Sequence, residues 1–218
     1  MVRILLADDH DIVRHGLRNL LEREPDWEVC GEARNGREAV EMAGALTPDI
    51  AILDVSMPEL NGLEATRRIH AICPATEVLV FTMYESDELV AEVFAAGARG
   101  YLLKSDAARH IVAAVEALAA HQPFFSTKVM AKLLEAFLRD RAASTGEDPV
   151  ATGDCLTARE REIVQLLAEG HRNKDIARRL GVSVKTVETH RTAVMRKVGA
   201  GSIADIVRYA VRNRIVSA

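Results

Sequence analysis

Five polar residues in the first half of this 218-residue chain stand where short apolar runs end. Asp8 and Asp9 follow VRILLA, Asp54 follows IAIL, Thr82 follows EVLVF and Lys104 follows GYLL. If those runs are neighbouring parallel strands, their carboxyl ends form one crevice, the place where such sheets bind ligands. Three carboxylates, a hydroxyl and an ammonium would then converge from segments far apart in sequence. Three carboxylates do not stay ionised together in a crevice without a cation. An oxygen-rich site of this kind suits Mg²⁺, which binds through one or two carboxylates and a phosphate. A carboxylate beside Mg²⁺ is also a nucleophile for phosphoryl groups, giving an aspartyl phosphate. Lys104 would pair with the phosphate and Thr82 would donate a hydrogen bond to it. Taken singly, an Asp at a strand end reads as a helix cap or a solvated loop residue. The joint placement at four of five strand ends carries the reading. The stretch DVSMPELNG adds a tight loop, in which Pro58 fixes one dihedral and Gly62 relaxes another at the start of a helix.

A second constellation lies in SVKTVETHRTAVMRKV, residues 183–198. Val184, Val187, Val194 and Val198 fit one buried helical face, and His190 joins it. The opposite face carries Lys185, Glu188, Thr189, Thr192 and Arg196, which are helical neighbours, with Arg191 on the flank. A shorter helix, KDIARRL, precedes it through Gly181-Val182, which is helix-turn-helix spacing. Such a face suits a major groove: Lys, Thr and Arg bond phosphates, Arg reads guanine, and Glu accepts from cytosine N4. Lys174, Arg178, Arg179 and Lys197 add positive charge for contact with the DNA backbone. A charge-rich helix face is more often simply solvated, so the surrounding elements and the charge balance decide.

The elements that must hold these residues follow from hydrophobic periodicity. Residues 1–121 alternate five apolar runs (2–7, 28–32, 50–53, 77–81, 100–103) with amphipathic stretches near 11–23, 36–46, 62–72, 86–96 and 106–120. Asn35 with Glu38, and Asn61 with Glu64, have the spacing of a cap and its third helical residue. The expected architecture is a doubly wound, five-stranded parallel sheet with helices on both faces. Residues 126–142 read as one more helix, with an apolar stripe from Val129 to Leu138, and residues 143–154 as a flexible linker. From Leu156 onward the pattern is wholly helical, with four helices near 158–168, 174–180, 184–198 and 203–213. Thr157 and Glu160 form a capping box, Asn173 and Ser183 are expected to cap the next two helices, and Gly181 sits at the turn between those two. The expected domains are therefore 1–121, a 122–155 helix and linker, and 156–218.

Composition narrows the function classes. Residues 1–125 carry 11 Lys/Arg against 21 Asp/Glu, and residues 154–218 carry 13 against seven, so a front of net −10 precedes a tail of net +6. A basic tail favours nucleic acid. Three scattered cysteines (Cys30, Cys73, Cys155) make neither a disulfide framework nor a zinc quartet. No apolar stretch approaches about 18 residues, and the amino terminus does not read as a signal peptide. A cytoplasmic protein without membrane contact is expected.

LLADDHD, ILDVSMPELNG, VLVFTMYESDE and GARGYLLKS together resemble the flavodoxin-like receiver domain of two-component response regulators. The resemblance spans residues 1–121 and implies Asp54 as phosphoacceptor. It implies Mg²⁺ bound directly by Asp9, Asp54 and the backbone carbonyl of Ser56, with Asp8 acting through water. Thr82 and Tyr101 would be the switch pair, with Tyr101 shifting inward on phosphorylation, and Lys104 the phosphate-binding lysine. Ser105 stands where many receivers have Pro. Met83 stands where they often have a small residue, and its bulk would narrow access to the site. Residues 156–215 resemble the four-helix output domain of LuxR/NarL/FixJ regulators. That resemblance implies DNA contacts from Lys185, Thr186, Glu188, Thr189, Arg191 and Thr192, and dimerisation through a last helix whose stripe here is Ile203, Ile206, Val207, Ala210 and Val211. The implied protein is a response regulator transcription factor. Its partners would be a sensor histidine kinase, double-stranded DNA and, when phosphorylated, a second copy of itself. A rival class, the Mg²⁺-dependent aspartyl-phosphate phosphatases, needs a second acid two residues after the nucleophile, a spacing met by Asp9 and Asp11 but leaving Asp54 and the helical tail unexplained. A second rival is a phosphate-independent DNA binder with a purely structural receiver, against which the full acid set counts.

Overall fold

Parallel strands buried on both faces must be apolar throughout, and the runs found in the sequence form them. A computed structural model describes residues 1–84, 87–125, 129, 156–213 and 215–216, with Asp87 and Glu88 described by their backbone. In the first unit the order is β1 (Val2–Ala7), α1 (Asp11–Leu21), β2 (Trp27–Ala33), α2 (Gly36–Leu46), β3 (Ile50–Leu53) and α3 (Gly62–Ile72). It continues through β4 (Glu77–Thr82), α4 (Asp87–Ala95), β5 (Gly100–Leu103), a 3₁₀ turn (Lys104–Asp106), α5 (Ala107–Ala119) and β6 (Phe124–Phe125). The strands lie β2-β1-β3-β4-β5-β6 and every pairing is parallel. The winding direction reverses between β1 and β3, which makes their carboxyl ends the topological switch point.

Successive side chains of a strand point to opposite faces. Ile4 and Leu6 of β1, Ile50 and Ile52 of β3, and Leu79 and Phe81 of β4 pack with Leu17 and Leu21 of α1 and Ile111, Val115 and Leu118 of α5. Leu5, Ala51, Leu53, Val78 and Val80, alternating with them, are buried on the other face. Asn35 and Asn61 cap α2 and α3 as expected, their side chains accepting from the N–H groups of Glu38 and Glu64 at 2.9 Å.

The sheet has a sixth strand that the periodicity did not reveal. Phe124 and Phe125 pair with Gly100 and Tyr101, beyond the expected domain edge at residue 121. Two residues show no alternation, so nothing local marks them as a strand. Their aromatic character, which lets Phe125 stack on Phe94 of α4 with ring centroids 4.4 Å apart, is the only sequence signal.

The second compact unit is built from α6 (Ala158–Ala168), α7 (Asn173–Leu180), α8 (Val184–Val198) and α9 (Ile203–Arg212). Ile163, Leu166, Ile176, Val187, Val194, Ile206 and Ala210 form its core. Thr157 and Glu160 make the full capping box of α6, and Ser183 caps α8. Gly181 ends α7 with φ of 63°, a left-handed conformation that suits glycine. Asn173 does not cap α7: it is the first helical residue, and Arg172, at the cap position, makes no side-chain cap bond. Ser202, which the sequence reading passed over, caps α9 through the N–H of Asp205 at 3.2 Å. The expected 126–142 helix and 143–154 linker lie outside the described residues, apart from the buried Val129. No helix among the described residues is long and apolar enough to cross a membrane.

Candidate acidic site and nucleic-acid interface

The β1–β3 pairing brings the acids together. Ala7 lies opposite Leu53, and the Asp54 N–H donates to the Ala7 carbonyl at 2.8 Å, so Asp8 and Asp54 leave adjacent strand ends side by side. Both are buried, at 1% and 3% exposure. The loop after Asp54 folds back over it, with the Gly62 N–H on the Val55 carbonyl at 2.9 Å. A Cβ at residue 62 would fall 1.9 Å from the Asp54 carbonyl oxygen, so only glycine permits this closure.

Lys104, carried past β5 on the 3₁₀ turn, places Nζ 2.8 Å from Asp54 Oδ2 and 2.7 Å from Asp8 Oδ2. Burial pushes the Asp54 carboxyl above its ordinary value, against the hydrogen bond and charge of Lys104, which pull it down; the neighbouring Asp8 charge raises it further. The Ser56 N–H also steadies the Asp54 carboxylate. Burial alone would lower the Lys104 ammonium, but its hydrogen bond to Asp54 and the adjacent Asp8 carboxylate outweigh that and raise it.

Ligand atoms of Asp8, Asp9, His10 and Asp54 all lie within 4.8 Å of one another. His10 was not singled out in the sequence, where an exposed His after two acids carries no signal; here its Nδ1 sits 2.7 Å from Asp9 Oδ1. Three carboxylates against one ammonium leave uncompensated negative charge. The buried Asp8 Oδ2 meets Lys104 without an aligned hydrogen bond. Both observations fit a divalent cation held by oxygen ligands. Asp11, which with Asp9 has the phosphatase spacing, is not among the gathered acids; it is bound to Arg14.

Thr82 and Tyr101, expected from the sequence to be a switch pair, converge on one residue. Thr82, fully buried, accepts from the Tyr84 N–H at 3.2 Å, and the Tyr101 hydroxyl donates to the Tyr84 carbonyl oxygen. Tyr101, expected to turn inward on phosphorylation, is 1% exposed and stands inward in this structure. The Tyr84 carbonyl supplies an internal acceptor, which removes the cost of burying the phenol. Met83 is 69% exposed, with its bulk in solvent. No cis peptide bond occurs among the described residues, so the Lys104–Ser105 link is trans.

In the second unit α8 presents the expected outer face. Lys185, Glu188, Thr189, Thr192 and Arg196 are exposed, and Thr186 and Arg191 are half-buried. Val187 and Val194 are fully buried and Val198 and His190 half-buried, but Val184, expected on the same face, is 39% exposed because it opens the helix just after its cap. The Thr189 and Thr192 hydroxyls donate to the Lys185 and Glu188 carbonyls at 3.0 Å. That fixes both side chains and leaves their oxygens as acceptors. Lys174 and Arg191 line a concavity of about 530 Å³ together with Arg172, a cation the sequence reading missed. Lys197 differs from the others: its Nζ bonds Glu160 Oε2 at 2.6 Å, so its charge is engaged within the unit. On α9 the apolar stripe divides. Ile206 and Ala210 are fully buried in the core, while Ile203 and Val211 are 43% and 37% exposed.

Comparison with known proteins agrees with this geometry. Residues 4–116 match the family model described as the response regulator receiver domain, and residues 154–210 the one described as bacterial regulatory proteins, luxR family. The chain is 39% identical over 217 residues to the transcriptional regulatory protein LiaR of Bacillus subtilis, covering 100% of both chains. It is 36% identical to the oxygen regulatory protein NreC of Staphylococcus carnosus, covering 99% of each. Among solved structures, a LuxR-family two-component response regulator from Aurantimonas sp. SI85-9A1 aligns with TM-score 0.60 and 38% identity, over 63% of this chain and 99% of that one. RcsB of Salmonella enterica serovar Typhimurium, bound to promoter rprA in the presence of phosphomimetic BeF₃⁻, aligns with TM-score 0.57 and 25% identity, over 96% and 98%. The acid group at the sheet's switch point and the four-helix unit that follows it in the chain thus belong to one architecture, and the chain is a member of the LuxR-family response regulators, transcription regulators that join a receiver domain to a helix-turn-helix DNA-binding domain.

Proposed function

We propose that Asp54 accepts a phosphoryl group from a sensor histidine kinase and that this controls DNA binding by α8. The observation that carries the reading is the Asp8–Lys104–Asp54 triangle at the β1–β3 switch point, with Asp9 and His10 at its rim. In the transfer, an Asp54 carboxylate oxygen bonds to phosphorus as the bond from phosphorus to the donor's imidazole nitrogen breaks. Asp8, Asp9, Asp54 and the Ser56 carbonyl would hold Mg²⁺. Bound there, Mg²⁺ would supply charge neutralisation for the transferred oxygens. Lys104 lets go of Asp54 Oδ2 and pairs with a phosphate oxygen. Thr82 exchanges the Tyr84 N–H for the phosphate, and the 84–101 connection through Tyr101 is released to take a second arrangement.

The exposed face of α8 enters a major groove. Thr186, Glu188, Thr189, Arg191 and Thr192 face base edges, and Lys174, Lys185 and Arg196 bond phosphates. Ile203 and Val211, left exposed on α9, support pairing of two copies on two half-sites. The assembly of RcsB with DNA and a phosphomimetic supports the same sequence of events here.

The test is radiolabel transfer from a phosphorylated histidine kinase. The parent chain acquires an acid-labile label that EDTA prevents, and Asp54→Asn acquires none. Label persisting at another residue in Asp54→Asn overturns the assignment.

A further inference from the structure

Arg14 is a second cation beside the acid group, and the transfer just described does not use it. It lies on α1 at 3% exposure, and each of its three guanidinium nitrogens has a partner. Nη1 donates to the Asp8 carbonyl oxygen at 2.5 Å, Nη2 meets Asp11, and Nε reaches Glu32 Oε2 at 3.4 Å. The other Glu32 oxygen takes Arg18 Nε at 2.6 Å.

The Asp8 carbonyl needs such a donor. The β1 ladder ends one residue earlier, where Ala7 pairs with Ala33 and with Leu53. Asp8 still donates its N–H to the Ala33 carbonyl at 3.2 Å, but its own carbonyl lies past the last strand pairing. A buried carbonyl without a partner is costly. Nearby N–H groups are spent elsewhere: that of His10 donates to Asp8 Oδ1 at 2.9 Å, and those of Val13 and Arg14 donate to the His10 carbonyl. Arg14 therefore holds the peptide unit that joins Asp8 to Asp9. The ψ of Asp8 and the φ of Asp9 flank that unit, so holding it restrains the backbone from which both side chains depart.

We infer that Arg14 is a positioning residue for the cation site: its bond to the Asp8 carbonyl fixes the Asp8–Asp9 peptide and so sets both acids for Mg²⁺. The inference rests on the reading of this site as a Mg²⁺ site. Its sign separates it from a charge effect. Asp11 and Glu32 offset the guanidinium charge, and a cation acting only by its charge would repel Mg²⁺, so that its removal would tighten binding. A positioning role predicts weaker binding. Loss of groups that orient metal ligands typically costs about 10–100-fold in affinity.

The experiment is calorimetric titration of Mg²⁺ into the full chain at a temperature where each variant is folded by circular dichroism. In Arg14→Met, which keeps the apolar stem and loses the donors, the Mg²⁺ Kd rises about tenfold or more. In Arg14→Lys, which keeps one donor, most of that loss is recovered. In phosphorylation assays the half-saturating Mg²⁺ concentration rises in Arg14→Met, while the rate at saturating Mg²⁺ stays within about twofold of the parent; a merely structural role would lower the melting temperature and leave the Mg²⁺ Kd in place. An unchanged or lower Kd in folded Arg14→Met, or an Arg14→Lys as impaired as it, overturns the inference. Should Arg14→Met not fold, Arg14→Gln, whose shorter side chain does not reach the Asp8 carbonyl from α1, takes its place: a raised Mg²⁺ Kd that Arg14→Lys largely recovers supports the inference, and an unchanged Kd overturns it. A parent that binds no Mg²⁺ overturns the underlying reading, a result the variants cannot mimic.

Discussion

As the proposed phosphoryl acceptor, Asp54 would have to be ionised to act, and it is held where ionisation is disfavoured. Burial raises its carboxyl above the ordinary value, and Lys104 relieves only part of that. A raised folded-state value contributes stability fully below the unfolded value, about 3.9, and that contribution is lost as pH rises through the higher folded value. Ionised Asp54 is thus a stability cost at neutral pH, and Asn in its place escapes it. In EDTA at neutral pH, Asp54→Asn should melt at a higher temperature than the parent. The gap should close as pH falls through the raised Asp54 value and the parent carboxyl takes up its proton. An equal melting temperature at neutral pH would mean that Lys104 compensates the charge in full. At this scale the sequence is informative wherever chemistry and position coincide. Asp8, Asp54, Thr82 and Lys104 are legible because each closes an apolar run. Arg14 and Lys197 are not, because a basic residue on a helix reads as solvated until the partner arriving from elsewhere, the Asp8 carbonyl or Glu160, is seen. The inward ring of Tyr101 is a rotamer, settled by the Tyr84 carbonyl and invisible in residue type.

Elements were legible in proportion to how local their causes are. The inner strands follow from nearly continuous apolar runs, the edge strand β2 from a shorter one broken by Glu28 and Glu32, and the capped helices from side chains three residues apart. β6 was hidden because its reason is the exposed edge of β5 and the ring of Phe94, neither of which is near it in sequence. Asn173 misled because a good cap residue one position too late becomes the first helical residue instead. The capping box of α6 is the element that ties local to tertiary causes. Thr157 Oγ1 accepts from the Glu160 N–H at 3.3 Å, and Glu160 accepts in return from the Thr157 N–H at 2.8 Å and from Lys197 of α8. Against the burial that would raise it, Lys197 and Thr157 hold the Glu160 carboxyl below its ordinary value. Thr157→Ala should cost about 1 kcal/mol of stability in thermal unfolding. The sign for Glu160 is that of a depressed acid: its contribution is present above the unfolded value, about 4.3, and is lost as pH falls through the lower folded value. Glu160→Gln should therefore lower the melting temperature at neutral pH and lose that effect in acid; a deficit that persists unchanged below the folded value would assign it to packing instead.

Across the whole molecule the net charge of −4 hides two opposed halves, −10 over residues 1–125 and +6 over residues 154–218. Part of the first is concentrated as the acid group that a divalent cation would neutralise. Much of the second stands on the exposed faces of α7 and α8, where DNA phosphates would take it. Each phosphate contact releases condensed counterions, so the affinity for duplex DNA falls with salt by about 0.9 in log–log slope per contact. Lys185→Ala and Arg196→Ala, whose side chains are exposed and free to reach the backbone, should each flatten that slope by about 1 and weaken binding to any sequence alike. Thr189→Ala and Arg191→Ala should instead weaken the specific site by about 1–3 kcal/mol and leave non-specific binding nearly intact. Lys197 is the internal control. Its ammonium is engaged by Glu160 at 2.6 Å, so Lys197→Ala should lower the melting temperature and change the salt slope by much less than Lys185→Ala does. Equal slope changes for the two would mean that Lys197 leaves Glu160 for phosphate when DNA arrives. In that case the α6–α8 ion pair would itself be broken by binding, and Glu160→Gln, with no carboxylate to compete for that ammonium, should bind DNA more tightly than the parent.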